Sequence, residues 1–151
     1  CSTVSGNIPF GKSIGATPDG RKAGTPTADT TSPTQGADKK GPLSAMKSVA
    51  KLPNVLASGG NLFNMKFSPL VLQDETGRRK FSALIRTFLG DLKGMHVQFN
   101  IVDGSTLREA KKRPEKYPDL MVRVAGYSAF FTSLDPGLQD DIINRTEQAT
   151  L

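Results

Sequence analysis

Gly126 sits in the middle of LMVRVAGYSAFF, residues 120 to 131, a run of apolar, β-branched and aromatic residues broken by one charge, Arg123. A glycine in a strand-like run gives nothing to pack and weakens the strand. On these residues alone it reads as a bulge or bend glycine. Three other patterns bear on chemistry. GNIPFGKS, residues 6 to 13, fits the phosphate-loop pattern G-x-x-x-x-G-K-[ST], whose N–H groups cradle phosphate at a helix N-terminus. Pro9 removes one of those N–H groups, Gly15, Pro18 and Gly20 stop a helix growing from the loop, and no partner aspartate follows a second apolar strand. Nucleotide hydrolysis is therefore set aside. MHVQFNIV, residues 95 to 102, alternates Met95, Val97, Phe99 and Ile101 against His96, Gln98 and Asn100, a strand period. Its amide-rich side is either a solvated face or the lining of a cavity. Finally, Cys1 and His96 are the sole cysteine and histidine, too few for a disulfide framework or a Cys/His zinc site.

These residues need elements to position them. Residues 1–42 are rich in Gly and Pro, with a turn at TPDG (17–20), and read as a long ordered loop anchored by Ile8, Phe10, Ile14 and Leu43. Pro42 suits a first helical turn, and Leu43, Met46, Val49 and Ala50 recur at helical spacing up to Pro53. NLFNMKF (61–67) alternates as a strand. GRRKFSALIRTFLGDL reads as a helix with Phe81, Leu84, Ile85, Phe88 and Leu89 on one face and Gly90 as its stop. In TLREAKKRPEKYP, Thr106 and Glu109 have capping-box spacing, and Glu109 stands four before Arg113. In SLDPGLQDDIINRTEQ, Asp135 is placed to cap and Pro136 to open a last helix. Strands alternating with helices predict an α/β chain with a partial sheet and packed helices, too few strands to close a barrel.

At 151 residues the chain has the length of one domain. Lys and Arg number 20 against 14 Asp and Glu, a net charge of +6. The basic residues are scattered and accompany no nucleic-acid motif, so a solvated surface is the expectation. No apolar run approaches the ~20 residues that span a bilayer. The chain opens with Cys1 rather than Met, inside strand-like CSTVSGNI, as if cut from a longer protein.

RVAGYSAFF (123–131) resembles the radical-bearing loop of the glycyl radical enzymes, the pyruvate formate-lyase and glycerol dehydratase-like family. GATPDGRKAGTP (15–26), SPTQGADKKGP (32–42), KSVAKLP (47–53), HVQFNIVD (96–103), RPEKYPDLMVRVAGYSAFF and QDDIINRTE resemble successive blocks of that family, in order, over nearly the whole chain. The resemblance implies that residues 1–151 form a glycine radical domain, with 1–42 as its loop region, 43–151 as its strand and helix region and 120–131 as the radical loop. It implies the C-terminal portion of a ten-stranded α/β barrel enzyme.

By the same resemblance Gly126 is the residue from which hydrogen is removed. A backbone radical at Cα is stabilised when it is planar and shared between the amide nitrogen and the carbonyl. A Cβ is expected to crowd that centre against packed walls, which glycine avoids. Val124, Tyr127, Phe130 and Phe131 are expected to bury it from water and oxygen. Arg123 is expected to anchor the loop by donating to backbone carbonyls or a carboxylate. Val124, Ala125 and Tyr127 support the loop, while His96, Gln98 and Asn100 are candidates for a cavity side. Cys1 does not fit the thiyl role, since the family's working cysteine lies hundreds of residues upstream.

The implied partners are the rest of a parent enzyme, itself a homodimer, a small-molecule substrate, and an activating enzyme. That activase carries an iron–sulfur cluster and uses S-adenosylmethionine; this chain has no cluster ligands. Pro118 and Pro136 are candidate hinges for bringing Gly126 to it. The loop looks more like the dehydratase, choline lyase and arylacetate decarboxylase branch than the formate acetyltransferases, so dehydration or another C–X cleavage is expected. A cytoplasmic setting is implied, with a bacterial microcompartment as its specialised form; neither nucleic acid nor membrane is expected as a partner. Two alternatives stay open: a stand-alone spare part that repairs an oxygen-cut partner, and a basic binding module without a radical.

Overall fold

The computed structural model describes residues 6–57 and 59–151. Three parallel strands form its central sheet in the order β2-β1-β5: β1 is Asn64–Phe67, β2 Gln98–Ile101 and β5 Glu147–Gln148. Parallel neighbours need a crossover, and helix α3 (Glu75–Arg86) supplies the one between β1 and β2. Their register sets Asn64 beside Gln98 and Lys66 beside Asn100. All four β1 residues are buried, as expected of a central strand covered on both faces.

The two faces differ in kind. Phe63, Met65 and Phe67 join a core with Ala45, Met46 and Val49 of α2 (Pro42–Ala50) and with Leu84 and Phe88. Its rings meet edge-on or tilted: Phe67 lies 5.2 Å from Phe81, Phe81 4.9 Å from Phe99, and Phe63 5.6 Å from Phe88. The opposite side chains, Asn64, Lys66, Gln98 and Asn100, are buried too. Buried polar groups have to be hydrogen-bonded, so this face requires specific partners. A second core joins Ile8 of α1 (Asn7–Ser13) to Leu107 and Ala110 of α4 (Gly104–Lys112), to Leu138 and Ile142 of α5 (Pro136–Asn144), and to Val122, Val124 and Phe131. Val122 lies within, and Val124 and Phe131 adjoin, the strands of an antiparallel hairpin, β3 (Met121–Arg123) and β4 (Ser128–Phe130).

Several local expectations are corrected. LMVRVAGYSAFF is a hairpin, not one strand, because Ala125 and Gly126 make its turn. GNIPFGKS is itself helical as α1, and Gly11 lies so close to the Thr25–Pro26 backbone that a Cβ would sit 2.4 Å from the Thr25 oxygen. Asn7 and Ile8 are therefore helical; the rest of the strand expected over CSTVSGNI falls mostly in residues 1–5, outside the described residues. Helix α4 is capped by Asp103, whose carboxylate accepts from Ser105 N at 2.6 Å, rather than by Thr106. Gly90 does not stop α3: the chain continues through a π turn, Thr87–Asp91, and turns at Lys93, φ 56°, before Gly94. Asp74 caps the start of α3. Asp135 caps α5 with Pro136 in its first turn, and Glu109 pairs with Arg113 at 3.2 Å.

Candidate functional site

Gly126 lies at the hairpin tip with φ 79°, a left-handed value that glycine adopts without the penalty a Cβ brings. Val124 N donates to Tyr127 O at 2.9 Å, closing the turn beneath it. Ala125 is buried, Gly126 is exposed, and Tyr127 and Phe130 are 37% and 46% exposed. The expected apolar enclosure is thus not formed among the described residues: Val124 and Phe131 point into the second core instead. Nor do packed walls among the described residues exclude a side chain. A Cβ at Gly126 would meet only the Leu62 methyl groups there, at 3.6 and 3.9 Å. Among these residues the backbone angle, not crowding, is what calls for glycine.

The polar face of β2 grips this turn. Asn100 and the Arg123 backbone exchange two bonds: Arg123 N donates to Asn100 Oδ1 at 2.7 Å, and Asn100 Nδ2 donates to Arg123 O at 2.6 Å. Gln98 Oε1 accepts from Arg123 Nε at 2.8 Å and from Gly126 N at 3.2 Å. The Arg123 guanidinium reaches onward, donating to Gly126 O at 3.2 Å and to Ser128 Oγ at 3.3 Å. Arg123 therefore lies along the hairpin and spans its turn. Of the three cavity candidates, Gln98 and Asn100 meet the loop. His96 precedes β2; burial lowers its pKa, and the nearby Arg123 charge lowers it further.

Behind Gln98 runs a polar chain that the sequence did not disclose. Gln98 donates to Asn64, Asn64 donates to Asp29, and Asp29 pairs with Arg145 at 3.6 Å. Arg145 also pairs with Asp141 at 3.1 Å and donates to Arg123 O at 3.4 Å, closing a circuit beneath the hairpin. Burial raises the Asp29 carboxyl above its ordinary 3.8, opposed by the Arg145 charge and by bonds from Ser32 and Asn64. The alternation of Asn64 in a strand neighbouring Gln98 was the one available signal; Asp29 and Arg145 come from distant segments. Among the described residues no cluster of three His, Cys, Asp or Glu is arranged to hold a metal ion. No helix there is long and apolar enough to cross a membrane.

The family description "Glycine radical" matches residues 27–132. The probable dehydratase YbiW of Escherichia coli K12 is 53% identical over 97% of the chain and 18% of its own length. The B12-independent glycerol dehydratase from Clostridium butyricum, solved with glycerol bound, superposes with a TM-score of 0.91 at 55% identity, over 95% of this chain and 18% of that one. A structure from Roseburia inulinivorans described for 1,2-propanediol dehydration gives a TM-score of 0.92 at 56% identity, over 96% and 18%. The chain spans less than a fifth of the length of these relatives.

Proposed function

The chain belongs to the glycine radical family, and from that premise we propose that Gly126 is its radical carbon and that the domain stores an unpaired electron for a larger glycyl radical lyase. The carrying observation is the turn itself. A glycine with positive φ stands exposed at a hairpin tip, while its N–H and C=O are both held by side chains. The tip is open to an activating enzyme and is placed to be covered by the remainder of a parent enzyme, which would supply the dry surroundings a persistent radical needs.

In this reading the activase, a partner with an iron–sulfur cluster and S-adenosylmethionine, supplies an alkyl radical. The Gly126 Cα–H bond breaks homolytically, the hydrogen atom passes to that alkyl radical, and the unpaired electron stays on Cα. In turnover Gly126 takes a hydrogen atom back from a cysteine thiol on another segment, leaving the thiyl radical there to attack substrate. Cys1, outside the described residues, is not assigned that part. The dehydratase names of the relatives favour C–O cleavage of a small diol or related polyol. The ten-stranded barrel, the homodimer and the substrate pocket belong to the parent in this proposal.

Electron paramagnetic resonance after anaerobic activation of the full-length parent tests it. The expected signal is a doublet that collapses when the glycine Cα is deuterated. Air exposure should then cut the chain at Gly126, separating the segment from Tyr127 onward from the rest. An activated protein with no doublet, or an uncut chain after a doublet has formed, overturns the assignment.

A further inference from the structure

The bonds around Gly126 form a closed ring. From Gln98 Oε1 the ring passes to Gly126 N, through its Cα to the carbonyl oxygen, on to the Arg123 terminal nitrogen, and through the guanidinium to Nε, which returns to Gln98 Oε1. One side-chain oxygen and one guanidinium thus hold the peptide planes on both sides of a single Cα. Glycine has the widest backbone freedom of any residue, so an unheld tip glycine would sample many φ values. Here each plane is tied by a hydrogen bond, and the tie to the carbonyl comes from a cation, the stronger kind. Gln98 is itself fixed: it is 7% exposed, and its amide nitrogen is committed to Asn64. Its oxygen therefore has one orientation to offer.

We propose that Gln98 is a positioning residue that, with Arg123, brackets Gly126 in one conformation and thereby sets the electronic character of its radical. The inference rests on the Gly126 reading above. Delocalisation of an unpaired electron from Cα onto nitrogen and carbonyl depends on the twist between the radical plane and each peptide plane. A bracket that fixes both planes fixes that twist, and so the spin density left on Cα. Loss of the bracket disperses it into a population. The purely structural alternative, that Gln98 only fills space under the turn, requires volume but not an acceptor oxygen.

Gln98→Met in the full-length parent removes the acceptor at similar volume. It is activated anaerobically and compared with the unaltered protein by electron paramagnetic resonance. The unaltered protein should give one narrow doublet. Gln98→Met should give a smeared doublet with a spread of Cα-proton splittings and a radical lifetime shorter by about tenfold. A Gln98→Met signal identical in splitting, width and lifetime to the unaltered one overturns the bracket. A second measurement uses no variant: in deuterated water, electron–nuclear double resonance of the unaltered radical should detect an exchangeable deuteron of the guanidinium beside that of the Gly126 amide. Absence of the guanidinium deuteron also overturns it. Absence of any doublet in the unaltered protein is a separate failure, that of the Gly126 reading itself.

Discussion

Asn100 and Arg123 face each other as though both were backbone. The Asn100 side-chain amide accepts from Arg123 N at 2.7 Å and donates to Arg123 O at 2.6 Å. The hairpin is thereby joined to the edge of the parallel sheet by a side chain standing in for a strand. Truncation in Asn100→Ala leaves the Arg123 N–H unpaired and its carbonyl with only the longer bond from Arg145. An unsatisfied buried group costs about 1–3 kcal/mol. Hydrogen exchange at the Arg123 amide, measured in the intact protein, should accelerate by about tenfold to a hundredfold. An unchanged rate would mean that the apolar residues alone hold the hairpin.

Replacing Gly126 with alanine separates backbone cost from chemical loss. The new Cβ finds ordinary contact with Leu62, but φ 79° disfavours an L side chain by about 1–2 kcal/mol. Gly126→Ala should fold, melt only a few degrees lower, and show neither the doublet nor cleavage in air. A cut chain in this variant would place the radical elsewhere.

Asp29 gives the polar circuit a pH signature. Its folded pKa is raised, first by burial, against the Arg145 charge. A raised pKa contributes stability that is full below the unfolded value, ordinarily 3.8, and is lost as pH rises through the folded value. In Asp29→Asn that loss disappears. Unfolding midpoints in urea, followed from about pH 4 to neutrality, should fall less steeply in the variant; parallel profiles would refute the assignment.

Gly94 tests the closure of the first core. A Cβ there would lie 2.3 Å from the Phe88 ring, and Phe88 is 1% exposed and packed against Phe63 with the rings tilted. Gly94→Ala must displace that ring, an overpacking cost of about 1–3 kcal/mol. A thermal melt unchanged from the unaltered protein would show that Phe88 has room to shift.

Local signals were legible where the physics is local. Asp135 and Pro136 are adjacent in sequence and act within one turn, so their capping of α5 could be read directly. The Thr106–Glu109 spacing misled because Asp103, three residues earlier, already offered a carboxylate to Ser105 N. Gly90 misled because a π turn can carry a helix past a glycine when the following residues, Lys93 and Gly94, make the turn instead. At the candidate site, the alternation of Gln98 and Asn100 marked a polar face but could not say whether water or protein met it. That answer depends on Arg123, Asp29 and Arg145, brought from segments far apart in the chain. The exposure of Gly126 was not legible at all. An apolar stretch reads as buried, yet a hairpin sends its stem residues, Val122 and Val124, inward and its turn outward.

That division between stem and turn has an energetic consequence. Val122, Val124 and Phe131 root the stem in the second core, whereas the Gly126 peptide groups are tied by two hydrogen bonds, from Gly126 N to Gln98 and from Arg123 to Gly126 O. Lifting the turn alone forfeits roughly 1–3 kcal/mol, against the several kcal/mol needed to uproot two valines and a phenylalanine. The lifted state is then a standing minority, on the order of one molecule in six to one in 160. A partner of the kind proposed above would then have only those two bonds to break, and not the apolar root, in drawing the exposed Gly126 away from the sheet.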